Sequence, residues 1–381
     1  MTQSNLSPSN NSTTYYSMIN KPHLNNSYEG LVVIEVDNKY GFMDKSGNLI
    51  IEPKYLGIIG FGEGLIGVQI EDDTHLFLCG FINYQGETVI PFEYEQASPF
   101  SQGLSPVQKN DKYGFIDRHN QVVIPFKFDH ANTFAEGGLA RVQINDKWGF
   151  INTQGQLAFP LFDDASLFQA GLASVHKNTK TGVINTYGEI VIPFIFDNHY
   201  LDFIDGLARV MQQDKWGVIN KKGDIIIPIE YDDIGYFDEE GLLAVKKDDQ
   251  WGYVDQRANI VIPLQYEEAE GFSEGLALVK KEDNYGFINP EQHLTIPFIY
   301  EHALSFKDGL AAVMTDDKYG FINHKGDVIL PFKYDLVGAS NNDLFSVKIV
   351  DGVGWHTINR QGQRVDNQQL IFYHVPSVVS P

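Results

Sequence analysis

The chain repeats one short unit about ten times, and this repetition limits the possible fold more than any other feature. A slot that usually holds Trp or Tyr recurs at spacings of 33 to 39 residues, and Gly follows it in nine of ten copies. All four Trp of the protein occupy this aromatic slot. A length of 381 residues would ordinarily suggest two or three domains, but the fixed period predicts a tandem array. The slot residues are Tyr40, Cys79, Tyr113, Trp148, Thr181, Trp216, Trp251, Tyr285, Tyr319 and Trp355.

A second anchor keeps step with the first. A Pro stands at the same place in nine copies, and the tenth copy lacks it. Two anchors in register over nine units indicate a true internal repeat. The Pro residues are Pro53, Pro91, Pro125, Pro160, Pro193, Pro228, Pro263, Pro297 and Pro331.

Each copy carries three strand-like segments separated by turn signals. Strand A is K-[W/Y]-G-F-I-N, strand B contains V-I-P, and strand C reads G-L-A-x-V. The predicted order is C–A–B, antiparallel, with A in the centre and B at an edge, because Pro cannot donate to a ladder. The A–B turn holds Gly in most copies and Asn120 in one, both of which accept positive φ. Ala258 and Gln292 replace that residue and are expected to strain or reshape their turns.

The Gly of strand A separates two core-facing aromatic positions, as between Trp148 and Phe150. We expect it to let a neighbouring ring or backbone lie close over its bare Cα. One such unit cannot cover its own apolar face, so stacked neighbours should build a continuous aromatic core.

These motifs resemble those of the bacterial WG-repeat family, also called KWG repeats. The match covers residues 30–364 and rests on the W-G pair, the F-I-N that follows, the turn Gly and the V-I-P segment. The resemblance implies β-rich repeats and no catalytic residues. Residues that depart from the family motif should weaken packing in their copies. These residues are Cys79, Thr181, Val183, Val218 and His356.

The sequence therefore predicts an all-β array of about ten three-stranded antiparallel units in an open, twisted superhelix or solenoid. The alternative is a closed, propeller-like ring. The unit is shorter than the roughly 40–50 residues of common propeller blades, and ten blades exceed the usual 4–8. Residues 1–27 are expected to be a flexible polar segment, 28–364 the array, and 365–381 a capping tail.

Charge limits the partners. The chain has 28 Lys and Arg against 50 Asp and Glu, a formal net charge of −22. This balance argues against nucleic acid and against an anionic membrane, and it favours a basic protein partner. Neither an apolar run of about 18 residues nor a secretory signal is evident, so a cytoplasmic location is expected.

An aromatic residue followed by an acid ends strand B in eight copies. In one interpretation each carboxylate accepts backbone N–H groups and fixes a turn. In the other, the acids form a ladder that docks a basic partner. Acids before the loop Gly, including Glu63, Glu136 and Glu274, would add to that field. The acid ladder consists of Glu95, Asp129, Asp163, Asp197, Asp232, Glu267, Glu301 and Asp335.

No motif for nucleophilic, zinc, phosphate or dinucleotide chemistry is evident, so we expect no catalytic, cofactor or metal-binding residues. Cys79 stands in a core slot and should be an inert buried thiol. His130 and His302 share a variable repeat position that should face solvent.

The leading hypothesis is a non-enzymatic, monomeric interaction scaffold whose acidic repeat surface docks or neutralises a basic partner. The alternative is a repeat protein that binds carbohydrate or another cell-envelope ligand through its aromatic side chains.

Overall fold

The computed structural model describes residues 17–18, 30–74, 76–341, 343–349 and 354–365. Within these ranges the regular structure is antiparallel β-sheet plus one short 3-10 helix, Glu136–Gly138. Ten sheets follow one another along the chain, which confirms the all-β repeat fold. The chain forms two compact units, Met1–Phe194 and Ile195–Pro381, whose boundary falls within the last strand of the fifth sheet.

Sheets 1 to 5 begin in the first unit. Sheet 1 has β1 (Ser17–Met18), β2 (Leu31–Val36), β3 (Lys39–Asp44) and β4 (Leu49–Tyr55); sheet 2 has β5 (Gly57–Gly62), β6 (Leu65–Glu71), β7 (Phe77–Ile82) and β8 (Thr88–Tyr94). Sheet 3 has β9 (Gln96–Ala97), β10 (Ser105–Lys109), β11 (Lys112–Ile116) and β12 (Val122–Phe128); sheet 4 has β13 (His130–Ala131), β14 (Ala140–Ile144) and β15 (Lys147–Ile151). Sheet 5 has β16 (Asp164–Ala165), β17 (Leu172–Lys177), β18 (Lys180–Asn185) and β19 (Ile190–Phe196).

Sheets 6 to 10 belong to the second unit. Sheet 6 has β20 (Leu207–Gln212), β21 (Lys215–Asn220) and β22 (Ile225–Tyr231); sheet 7 has β23 (Asp233–Phe237), β24 (Leu242–Lys247), β25 (Gln250–Asp255) and β26 (Ile260–Tyr266). Sheet 8 has β27 (Glu268–Ala269), β28 (Ala277–Lys281), β29 (Asn284–Ile288) and β30 (Leu294–Tyr300); sheet 9 has β31 (His302–Ala303), β32 (Ala311–Thr315), β33 (Lys318–Ile322) and β34 (Val328–Tyr334). Sheet 10 has β35 (Leu336–Asn341), β36 (Leu344–Lys348) and β37 (His356–Ile358).

Every sheet is a meander in which neighbours in sequence are neighbours in space. The predicted C–A–B order with A between its partners is confirmed, and strand B lies at the sheet edge. Most sheets also have a fourth strand ahead of C, which we call the lead strand and which the three-stranded prediction missed. It is often two residues long, as in His130–Ala131, and pairs with strand C. So short a segment shows no alternating pattern that a sequence could reveal.

Sheet 1 takes its lead strand from the segment that was expected to be flexible. Ser17 pairs with Glu35 and Met18 with Ile34. The other residues of 1–27, and the predicted tail beyond residue 365, lie outside the described residues. Sheet 4 differs from the other sheets at the strand B edge. Its Pro-containing segment forms no continuous strand and makes only the bridges Trp148–Phe162 and Ile151–Leu157.

Two turn types recur along the array. In sheets 1 and 3 to 9 the C–A hairpin has two residues with positive φ, such as Asn145 at 48° and Asp146 at 62°. This is the type I′ geometry that suits the twist of paired strands. The A–B turn also has one residue with positive φ, and Ala258 at 62° and Gln292 at 67° adopt it like the Gly of other copies. Of the two expected outcomes, these turns are not reshaped but strained, because residues with a Cβ adopt positive φ.

The Gly of strand A lies opposite a bulge in strand B. In sheet 3, Tyr113 pairs with Phe128 and Phe115 with Ile124, so three residues of strand B, beginning with Pro125, face Gly114 alone. A Cβ on Gly114 would lie 2.8 Å from the carbonyl oxygen of Ile124. The predicted close approach is confirmed, and the bulge gives the Pro a place where it need not donate.

The core lies between consecutive sheets. Phe115 of sheet 3 packs with Phe134, Val142 and Ile151 of sheet 4, and the Phe115 and Phe134 ring centroids are 5.1 Å apart. Sheet 4 uses its other face for sheet 5, where Leu139 packs in one cluster with Phe150, Ala165 and Val175.

The second unit is built in the same way. Phe287 of sheet 8 packs with Phe306 and Val313 of sheet 9, at a ring distance of 4.9 Å. Both faces of an inner sheet are thus buried by its sequence neighbours, as in other repeat proteins.

A substitution at the Gly of strand A tests this packing. A Cβ on Gly252 would meet the backbone of strand β26, 2.6 Å from the carbonyl oxygen of Ile262. We expect Gly252→Ala to lower the free energy of unfolding by about 1–3 kcal/mol, the usual cost of overpacking. Urea unfolding followed by circular dichroism measures the loss.

Gly271→Ala is the matched control, because its nearest neighbour would be an Asp238 side-chain atom at an ordinary 3.5 Å. Equal losses for the two variants would contradict the bulge as the reason for the Gly.

Candidate functional site

The acid ladder lies where the chain passes from strand B of one sheet to the lead strand of the next. Four ladder Asp residues accept a hydrogen bond from the C–A hairpin turn of that next sheet. The N–H of Asn145 donates to Asp129 Oδ2 at 2.7 Å, and that of Asn178 to Asp163 Oδ2 at 2.8 Å. In the second unit Gln213 and Asp248 donate in the same way to Asp197 and Asp232, both at 2.8 Å.

Several of these Asp residues also bind a Lys at the start of strand A in their own sheet. Lys147 Nζ lies 2.6 Å from Asp163 Oδ1. The same ion pair joins Lys112 to Asp129, Lys215 to Asp232 and Lys318 to Asp335. Where both contacts form, one carboxylate ties two consecutive sheets together.

These contacts stabilise the ionised carboxylates. The Lys hydrogen bond first, and the turn N–H second, lower the pKa of Asp129, Asp163 and Asp232 below the ordinary range.

Glu replaces Asp in the ladder where that Lys is missing. Glu95 accepts from both turn amides, Asn110 at 2.8 Å and Asp111 at 3.1 Å. Glu267 does the same with Glu282 and Asp283, at 2.8 and 3.2 Å. The residue at the Lys position is Leu78 ahead of Glu95, Gln250 ahead of Glu267 and Asn284 ahead of Glu301.

Glu301 completes this group, because Asp316 and Asp317 donate to it at 3.2 and 3.3 Å. The longer Glu side chain can therefore use both oxygens on the turn when no Lys needs one of them. Ladder residues make the backbone contacts that the turn-fixing interpretation requires.

The acids before the loop Gly also link consecutive sheets, at the opposite end of strand C. Glu63 accepts from the N–H of Gly103 at 3.1 Å, and Glu274 from Gly309 at 3.0 Å. Glu136 accepts from Gly171 at 2.5 Å. These carboxylates too are used within the fold.

Exposed acids stand on the C–A hairpin turns themselves, and their turn-forming sequence pattern does not mark them as a surface. In four consecutive sheets of the second unit, the two turn positions are exposed and mostly acidic. Asp249 and Asp283 have side chains that are 98% and 97% exposed, whereas the ladder residue Asp232 is 36% exposed. Asp and Asn are favoured at these positions because they tolerate positive φ, so the sequence alone indicates only a turn-forming role for them. We call them the hairpin-turn acids: Asp214, Asp248, Asp249, Glu282, Asp283, Asp316 and Asp317.

The two His that were expected to face solvent lie between rings. His130 lies 5.3 Å from Tyr113 and 5.5 Å from Trp148. His302 lies 5.7 Å from Tyr285 and 5.8 Å from Tyr319. The lead strand places each of them between the aromatic slots of two consecutive sheets, so both side chains are partly buried rather than fully solvated as expected.

Other chemistry has little support in the described part of the chain. No group of three or more His, Cys, Asp or Glu side chains there is arranged to hold a metal ion. Burial raises the pKa of the Cys79 thiol to about 11, which opposes activation as a nucleophile. Among the described residues, no helix is long and apolar enough to cross a membrane.

The lowered pKa values predict a pH-dependent effect of a ladder substitution. Asp163→Asn should lower the free energy of unfolding at pH 7 by roughly 1 kcal/mol or less, because exposed ion pairs contribute little. A lowered folded-state pKa stabilises the fold above the unfolded pKa of about 3.9, and this stabilisation is lost as pH falls through the folded value. Urea midpoints of wild type and variant should therefore converge as pH falls below about 4.

Asp146→Asn, at an exposed position of a hairpin turn, is the control and should show no such convergence. A gap between wild type and Asp163→Asn that is constant with pH would contradict the ladder contact.

Comparison with known proteins identifies the repeat. A family model described as WG containing repeat matches nine segments in succession: residues 40–72, 80–113, 113–148, 148–180, 182–216, 216–251, 251–285, 285–319 and 319–352. No curated protein matches the chain.

Three solved structures show partial similarity. A eukaryotic initiation factor is 11% identical with a TM-score of 0.37, over 79% of this chain and 95% of its own. Kluyveromyces lactis Hsv2p is 10% identical with a TM-score of 0.29, over 61% and 93%. The extracellular domain of the BT4673 one-component system from B. thetaiotaomicron is 9% identical with a TM-score of 0.28, over 95% and 67%. Scores this low carry no argument, whereas the nine matched repeats show that the chain belongs to the WG-containing repeat family.

Proposed function

We propose that the chain is a non-enzymatic interaction scaffold that docks a basic protein partner, and that the hairpin-turn acids form the docking edge. The observation that carries this proposal is the exposure of seven carboxylates on four consecutive turns of the second unit. Repetition places one or two such acids on every sheet from 6 to 9. A row of like charges attracts a basic partner and speeds its association.

The ladder supports this edge indirectly. Ladder carboxylates hold the hairpin turns through their backbone amides, as Asp232 does for the turn at Asp248. A turn fixed in this way presents its own side chains in one direction and loses less conformational freedom on binding. The ladder acids therefore position the docking residues and add to the negative field.

The other expectations about function agree with this proposal. The buried Cys79 and the internal use of the repeated carboxylates support a role without catalysis. A carbohydrate-binding role would use a row of exposed rings, whereas Trp148, Trp216 and Trp251 of the aromatic slot are only partly exposed. Trp355, at the end of the array, is 54% exposed and has no exposed slot Trp beside it. Cytoplasmic location and a monomeric state remain part of the proposal.

Two variants of equal charge test the docking edge. The first carries Asp214→Asn, Asp249→Asn, Asp283→Asn and Asp317→Asn, four positions with φ between 57° and 61° that Asn adopts readily. The second neutralises four acids of the A–B turns and loops at the other end of the strands, as Asp224→Asn, Glu239→Gln, Glu291→Gln and Asp327→Asn. Binding of a fluorescent oligo-arginine peptide is measured from 50 to 200 mM salt.

We expect the first variant to bind at least about tenfold more weakly than wild type and with a shallower salt dependence, because fewer ion contacts form. The second variant should stay within about threefold of wild type. Equal loss in both would mean that the peptide responds to net charge alone and that the turns are not a docking edge.

A further inference from the structure

The fold contains an internal guanidinium site between sheets 4 and 5. Arg141, at the variable position of the G-L-A-x-V strand, donates from Nη1 to the carbonyl oxygen of Ala165 in the next lead strand. Its Nε donates to Asn132 Oδ1 at 3.0 Å, and its guanidinium lies 4.2 Å from the ring centre of Trp148. A carbonyl, a polar side chain and the aromatic-slot ring thus hold one planar cation.

Sheet 6 repeats the arrangement. Arg209 occupies the same repeat position and donates from Nη1 to the carbonyl oxygen of Ile234, at 2.9 Å, in the lead strand of sheet 7. Its guanidinium lies 5.6 Å from Trp216 and 3.8 Å from Tyr236. Sheets 4 and 6 therefore each bind a guanidinium at the same point of the repeat. The backbone geometry that the repeated sheets share suits a guanidinium group.

Sheet 8 has the same site without the Arg. Leu278 stands at the Arg position, and a cavity of about 270 Å³ lies beside it. Tyr285 lines this cavity where Trp148 lies in sheet 4, and Ala303 where Ala165 lies. Glu270 takes the place of Asn132, so a carboxylate replaces a neutral amide. At about 30 Å³ per water molecule, the cavity has room for a guanidinium group.

The surroundings of this cavity already attract a cation. Lys280 Nζ lies 3.2 Å from Glu268 Oε1 and 5.5 Å from the Tyr285 ring centre. The hydroxyl of Ser305 donates to Glu270 Oε2 at 2.5 Å. Burial, followed by the hydrogen bond to Glu268 and the nearby carboxylates, raises the pKa of Tyr285 to about 12.

Glu270 distinguishes this copy from the others that the structure describes. The corresponding lead-strand position holds Ser98, Asn132, Ser166, Gly235 or Leu304 in sheets 3, 4, 5, 7 and 9. A carboxylate together with a ring and a backbone carbonyl binds guanidinium better than ammonium, because its planar donors can engage them at once.

We propose that the cavity between sheets 8 and 9 binds the side chain of an arginine supplied by a basic partner, in the place that Arg141 and Arg209 fill from within the chain. This inference rests on the proposed scaffold function, for which it names one point of recognition. The arginine would donate to Glu270 and to the carbonyl of Ala303 while its plane lies against Tyr285.

The full-length protein is titrated with L-argininamide, and binding is followed by isothermal calorimetry. We expect saturable binding at one site, and at least about threefold weaker binding of L-lysinamide. Glu270→Gln should weaken argininamide binding at least about tenfold. Leu278→Arg should abolish it, because the new side chain fills the cavity as Arg141 does in sheet 4.

Ser174→Arg is the matched control for Leu278→Arg. It introduces Arg at the same repeat position of sheet 5, none of whose residues lines this cavity, and should leave argininamide binding unchanged. Absence of saturable binding, or binding that Glu270→Gln leaves unaltered, would overturn the inference even if Leu278→Arg fails to fold.

The two proposals can fail separately. Argininamide binding that persists in the variant with neutralised hairpin-turn acids supports the cavity whether or not that variant loses the oligo-arginine peptide. If argininamide does not bind to the cavity, the peptide experiment still tests the docking edge independently.

Discussion

Burial of small sheets against their sequence neighbours within each compact unit is the constraint on which the rest of this structure depends. A four-stranded sheet of short strands has too little area to stabilise itself, so its apolar side chains must meet those of the next sheet. Phe115 fills the space between sheets 3 and 4, and Phe287 does so between sheets 8 and 9. The Gly of strand A and the bulge opposite it let strand B follow strand A closely enough for this packing.

Hydrogen bonds from backbone to carboxylate add a second link between consecutive sheets. An Asp with Lys, or a Glu without it, serves the same purpose: Asp163 binds Lys147 and one turn amide, whereas Glu267 accepts from two turn amides. Repeated acidity is therefore largely structural in this family member, and net charge alone says little about a partner. The turns that these acids hold carry the exposed carboxylates, so structure and recognition use neighbouring residues of the same repeat.

The sequence was enough to predict the features that recur from copy to copy: the strand order, the edge position of strand B, and the reason for the Gly of strand A. It could not predict the lead strands, because two residues have no periodicity, or the partners of the ladder acids, because those lie one sheet further on. Ala258 kept the turn geometry because the turn is held by several hydrogen bonds to Asp255, which outweigh the strain of positive φ. The N–H of Ala258 donates to the Asp255 carbonyl oxygen, and the N–H groups of Arg257 and Asn259 donate to its carboxylate. His130 was expected in solvent because its repeat position is variable, but that variable position lies between the Tyr113 and Trp148 rings.

Native-state hydrogen exchange of a Phe115→Ala variant tests the central claim that each core belongs to two consecutive sheets. Removing a buried Phe costs about 3–5 kcal/mol, and in an array of nearest-neighbour interfaces this loss stays local. Mass spectrometry should find that amides of strands β10, β11, β14 and β15 lose protection, while those of strands β28, β29, β32 and β33 keep theirs. A uniform loss of protection over all of these strands would contradict the account.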